Sequence, residues 1–133
     1  MPQVNTTLLY QWFQQVWNEG REEVINDLFD ENAIAKGLNG DRKGPDAFKE
    51  FYRSFRDEFS DVQVSIEKVL AEDNMESALC SVDATHTATN KKVHFEGITM
   101  VRLEDGKIVE AWNQFDFLNL YQQLGHQLVP AQN

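Results

Sequence analysis

The feature that most constrains the fold of this chain is a change of hydrophobic period near residue 60. Before it, Leu8, Leu9, Trp12, Phe13, Val16 and Trp17 recur at helical spacing, and Asn18-Glu19-Gly20 supplies a glycine stop. The pattern predicts a first helix over about 5–18. Val24, Ile25, Leu28 and Phe29 predict a short second helix, and Ala33 to Leu38 a strand closed by Asn39-Gly40-Asp41. Gly44-Pro45-Asp46 opens a third helix, in which Phe48, Phe51, Tyr52, Phe55 and Phe59 form one aromatic stripe ending near Ser60. From Val62 the period is two. Val62, Val64 and Ile66 alternate with polar residues, and three further strands are predicted near 75–88, 92–103 and 107–115, an antiparallel meander followed by a short helix over 116–124. Apolar helix stripes and a sheet with one apolar face satisfy each other only when the helices cover the sheet, so the chain reads as α+β.

A length of 133 residues predicts one domain, with a core over about 5–126 and a loosely ordered tail over 127–133. The balance of 12 basic against 22 acidic residues, net -10, opposes binding to nucleic acid or to an anionic membrane surface. The single Cys80 has no disulfide partner, and His86, His94 and His126 show no zinc-type spacing with it. The expectation is a cytoplasmic chain without metal or cofactor. No basic leader opens the sequence, and no apolar run reaches the ~18 residues of a membrane span.

Register decides which side chains face the helices. A two-residue turn at Asn90-Lys91 would place His86 opposite Phe95, Ala84 opposite Gly97 and Val82 opposite Thr99. A three-residue loop at Glu104-Asp105-Gly106, with Gly106 left-handed, would place Thr99 opposite Ala111, Gly97 opposite Asn113 and Phe95 opposite Phe115. The other choice of loop would bury Glu110 and Gln114. The central row, Ala84, Gly97 and Asn113, is then made of small residues where a filled core would need bulk. A hollow lined by Asn113, His86, Thr99 and aromatic rings is expected there.

The order of elements resembles the cone-shaped nuclear transport factor two-like roll: three N-terminal helices on a curved antiparallel sheet and a short C-terminal helix. The phrases Val16-Trp17-Asn18-Glu19-Gly20, Gly44-Pro45-Asp46-Ala47-Phe48, Thr85-His86-Thr87, Phe95-Glu96-Gly97-Ile98, Glu104-Asp105-Gly106-Lys107-Ile108-Val109-Glu110 and Tyr121-Gln122-Gln123-Leu124-Gly125 resemble the SnoaL-like polyketide cyclase and ester cyclase family. The resemblance spans about 5–126. It implies a cofactor-independent enzyme, polyketide cyclase-like or ketosteroid isomerase-like, acting on a largely apolar carbonyl or aromatic small molecule. In that family a carboxylate on the last strand serves as acid/base for intramolecular aldol closure, and the matching position here is Asn113. The alternative is therefore a non-catalytic small-molecule-binding protein of the same fold.

Each candidate has a structural and a functional reading. Asn113 is either a core amide bonded to backbone or a donor to a substrate oxygen. His86 is either a satisfied strand-end histidine or the proton carrier, and Asp116 either an N-cap or a second base. Lys36, between Ile34 and Leu38, either reaches to water or enters the pocket. Trp17, Ala84, Phe95, Gly97, Thr99, Ala111 and Phe115 are the expected ligand-binding residues. Trp112 falls on the opposite sheet face, where burial against a second copy of the chain would give a homodimer.

Overall fold

The computed structural model describes residues 6–131. The chain runs α1 (Leu8–Gln11), a π-helix (Trp12–Asn18), α2 (Val24–Leu28), β1 (Phe29–Lys36), β2 (Arg42–Lys43), α3 (Gly44–Glu58), β3 (Phe59–Glu72), β4 (Met75–His86), β5 (Lys91–Glu104), β6 (Lys107–Phe115) and α4 (Phe117–Gln123). The six strands make one sheet in the order β2-β1-β6-β5-β4-β3. Strands β3 to β6 form the expected antiparallel meander, whereas β1 returns to pair parallel with β6. The α+β architecture is as the period change predicts.

The first helix is not one α-helix. Its α-helical part is a single turn, capped by the Thr7 hydroxyl, which accepts from the Tyr10 N–H. The Glu76 carboxylate on β4 accepts the Leu8 and Leu9 N–H groups at 3.1 and 2.9 Å. From Trp12 the winding loosens to a π-helix, and residue 5, the predicted start, lies outside the described residues. Phe29 opens β1 instead of closing α2, and Phe59, the last ring of the predicted stripe, opens β3 with φ -128 and ψ 130. Pro45 in the first turn fixes the entry into α3, which packs Phe48 and Tyr52 inward.

Both hairpins differ from the predicted turns. Between β4 and β5 the loop has four residues, Thr87 to Asn90, closed by the Asn90 N–H donating to the His86 carbonyl at 2.7 Å. His86 therefore pairs with Lys91, Ala84 with Val93 and Val82 with Phe95. The slip is an even number of residues, so every side chain keeps its predicted face while its neighbours change. Between β5 and β6 the loop has two residues, with Asp105 and Gly106 both left-handed at φ 53 and 76, a type I′ turn. Such a turn alone would turn Asn113 outward. A bulge restores it: Leu103 pairs with Ile108 but Arg102 with Glu110, leaving Val109 as the extra residue. Beyond the bulge Val101 faces Ala111, Thr99 faces Asn113 and Gly97 faces Phe115. The small inner row is thus Ala78, Thr99 and Asn113, in place of Ala84, Gly97 and Asn113.

Candidate functional site

Between the helices and the inner sheet face lies a narrow cavity with an open mouth. Its floor is low because the facing residues are small. Ala35 of β1 pairs with Ala111 of β6, and Thr99 of β5 pairs with Asn113 beside them. One wall is aromatic and helical, from Trp12, Phe13 and Trp17 of the π-helix and Phe48, Phe51 and Phe55 of α3. Trp17 meets Phe48, Phe51 and Phe55 edge-on, with centroids 6.4, 6.3 and 5.7 Å apart. The other end is closed by Phe95, Phe115 and Phe117, in mutual contact at 5.9 to 6.3 Å.

Against this apolar surface stand two polar side chains, Thr99 and Asn113, 3% and 8% exposed. The Thr99 hydroxyl donates to Asn113 Oδ1 at 3.0 Å, and Asn113 Nδ2 donates to the Lys36 carbonyl at 3.0 Å. An amide has two N–H donors and two acceptor lone pairs, so these two bonds use one of each. Asn113 is therefore both a structural clamp between β1, β5 and β6 and a neutral hydrogen-bonding point on the cavity floor.

Two glycines shape this floor. At Gly37, with φ +88, a Cβ would lie 2.0 Å from the Asn113 carbonyl oxygen, so only glycine lets β1 leave the sheet there. At Gly97 a Cβ would lie 2.3 Å from the Phe115 ring. Gly97 does not line the cavity; it gives Phe115 the room to do so.

Of the expected site residues, Trp17, Phe95, Thr99, Ala111, Asn113 and Phe115 meet around the cavity. The others do not. His86 was expected beside Phe95, but the four-residue turn carries it to the sheet end, where Nδ1 meets the Thr89 hydroxyl at 2.9 Å and Nε2 lies 3.5 Å from the Glu58 carboxylate. Tyr121 donates to the same carboxylate at 2.8 Å, so His86 belongs to a polar knot joining α3, β4 and α4. Asp116 caps α4, its carboxylate accepting the Asn119 N–H at 3.0 Å. Lys36 is exposed, and only its backbone carbonyl reaches Asn113. Ala84 is buried opposite Val93, remote from Asn113 because of the slipped hairpin.

Trp12, Phe13, Phe48, Phe51, Phe55 and Phe117 line the cavity without having been expected to. The α3 residues belong to the aromatic stripe of the third helix, a pattern that does not tell a cavity wall from a filled core. Among the described residues no group of three or more His, Cys, Asp or Glu side chains could hold a metal ion, and no described helix is long and apolar enough to cross a membrane.

Comparison with known proteins places this geometry. No curated protein sequence matches the chain. A provisionally assigned polyketide cyclase from Bacillus cereus is 31% identical, with a TM-score of 0.79 over 89% of this chain and 78% of that one. Another, from Acidithiobacillus ferrooxidans, is 22% identical with a TM-score of 0.82 over 94% and 96%. IdmH from Streptomyces antibioticus, likewise a provisionally assigned polyketide cyclase, is 18% identical with a TM-score of 0.79 over 94% and 100%. The last two show the shared roll alone. The family model described as SnoaL-like polyketide cyclase matches residues 7–124, which include every cavity-lining residue, and the chain belongs to that family.

Proposed function

We propose that this chain is a cofactor-independent catalyst of the cyclase/isomerase type, which binds a largely apolar, carbonyl-bearing or aromatic, polyketide-like molecule in the cone. The observation that carries this reading is a cavity apolar on every side except for one neutral polar pair, Asn113 backed by Thr99. A charged ligand would lose its hydration there with nothing to replace it. An uncharged one with a single buried oxygen loses little, because the second Asn113 N–H can meet that oxygen. For closure of a ring within one molecule, the cone would hold the reacting carbons together and keep bulk water out. The amide N–H would then support negative charge growing on the carbonyl oxygen. Among the described residues no acidic or basic side chain lines the cavity, so the proton leaving the α-carbon passes to a solvent or buffer base at the mouth, and the alkoxide formed on closure takes one back from the same source.

The second reading is carriage of the molecule without turnover. The two separate on a poly-β-ketone ester whose aromatic product absorbs in the near ultraviolet. The catalytic reading expects acceleration by the protein, and a loss of about a hundredfold to a thousandfold in Asn113→Ala, the effect of ~2.7–4 kcal/mol for one oxyanion donor. Tight binding without acceleration would leave only the carrier.

We further propose that the outer sheet face pairs with a second copy of the chain. Leu79, Ile98, Met100 and Trp112 stand on neighbouring strands there, with Ile98 49% and Met100 39% exposed.

A further inference from the structure

The winding of residues 12–18 has a consequence for the cavity wall. An α-helix advances by about 100° per residue, so two residues five apart point about 140° away from each other. Trp12 and Trp17 are five apart, yet both line the cavity. The i→i+5 winding makes this possible by placing them one turn apart. Asn18, five residues after Phe13, does not share this alignment: Phe13 lines the cavity, whereas the Asn18 side chain turns to the sheet edge.

Such winding is rare and needs support. It comes here from three side chains that do not line the cavity. Asn18 treats β3 as a strand would: its Nδ2 donates to the Val64 carbonyl at 2.9 Å and its Oδ1 accepts the Val64 N–H at 2.6 Å. From α3, the Tyr52 hydroxyl donates to the Val16 carbonyl at 2.8 Å and Arg56 Nη1 to the Trp17 carbonyl at 2.8 Å. Val16 and Trp17 stand in the last turn, whose carbonyls have no helical partners, so these bonds fix the end of the segment against α3.

We propose that Asn18, Tyr52 and Arg56 are positioning residues that hold the π winding and so keep both tryptophans in the cavity wall, selecting flat, uncharged aromatic ligands. The inference rests on reading the cone as the ligand site. Without the three bonds the segment relaxes toward the α winding, and one of the two indoles swings out of the wall.

A deletion turns this into a test that general destabilisation cannot imitate. Removing Gln15 leaves Trp12 and Trp17 four apart, and four α-helical steps bring them within about 40° of one face. The deletion thus restores in an α-helix the alignment that the π-helix provides. The probe is 2-acetylnaphthalene, flat and uncharged with one carbonyl, and the readout is quenching of tryptophan emission, with Trp112 on the outer face as a constant background. Wild type is expected to bind it, and Asn18→Ala and Tyr52→Phe to bind about tenfold less tightly, the share of one aromatic face. Deleting Gln15 in the Asn18→Ala background is expected to return the affinity to that of wild type.

Thermal melts establish that each variant unfolds cooperatively; should Asn18→Ala not fold, Tyr52→Phe and its own Gln15 deletion decide the matter. Folded variants that bind as wild type does, or a deletion that restores nothing, overturn the inference and leave the reading of the cone standing. A wild-type protein that does not bind the probe overturns both.

Discussion

Replacing Asn113 by aspartate tests the floor of the cavity without needing a ligand. In the native chain Asn113 Nδ2 donates to the Lys36 carbonyl at 3.0 Å, and Oδ1 accepts from Thr99 at the same distance. An ionised carboxylate would still accept from Thr99, but it would set an oxygen against the Lys36 carbonyl oxygen. Protonated, it can donate there as the amide does. Burial of a side chain that is 8% exposed acts in the same direction, so the new carboxyl titrates well above the ordinary carboxylate range. A rise of about two units from 3.9 corresponds to about 2.7 kcal/mol. The folded variant then holds its proton at pH values where the unfolded chain has released it. Its stability relative to wild type therefore falls as pH rises from about 4 and levels off above about 6. Urea unfolding of both proteins at about pH 4 and about pH 8 is the assay. The expected deficit is under about 1 kcal/mol at the lower pH and about 2–3 kcal/mol at the higher. An equal deficit at both would refute the placement of this side chain against Lys36.

Gly97→Ala would set a Cβ 2.3 Å from the Phe115 ring. It should destabilise by about 1–3 kcal/mol in a urea melt and drive Phe115 into the cavity, weakening 2-acetylnaphthalene binding; unchanged binding would contradict the role given to Gly97. Burial pushes the Cys80 thiol up to about 12, and burial together with the Glu58 hydrogen bond pushes the Tyr121 phenol up to about 12. Both groups stay protonated in the folded chain where the unfolded chain loses them, so urea midpoints should decline above about pH 9, and a flat series would speak against their burial. Light scattering should give about twice 15.4 kDa for the native chain and the monomer value for Met100→Glu; a native monomer at high concentration would remove the proposed pairing of outer sheet faces.

The roll was legible because the change of period fixes which residues belong to helices and which to strands, and alternation fixes which side chains face inward. Asn113 and Thr99 were legible for the same reason. Their exact neighbours were not. Thr87 to Asn90 carry no strong two-residue turn signal, and no local pattern records the bulge at Val109. His86 was misplaced because a slip of four residues preserves its face while moving it along the sheet. The π-helix was hidden for a different reason: Leu8, Trp12 and Val16, or Leu9, Phe13 and Trp17, fit an α-helical stripe equally well. Its winding is set by Asn18, Tyr52 and Arg56 bonding to or from parts distant in sequence.

The central claim is that the cone takes an uncharged, flat molecule with one oxygen at Asn113. Co-crystallisation with 2-acetylnaphthalene tests it most directly. The account predicts the naphthalene between the Trp12 and Trp17 wall and the Phe95 and Phe115 end, with the carbonyl oxygen within hydrogen-bond distance of Asn113 Nδ2. A cone closed by its own side chains, or the molecule seated instead in the groove between Tyr121 and Leu128, would contradict it.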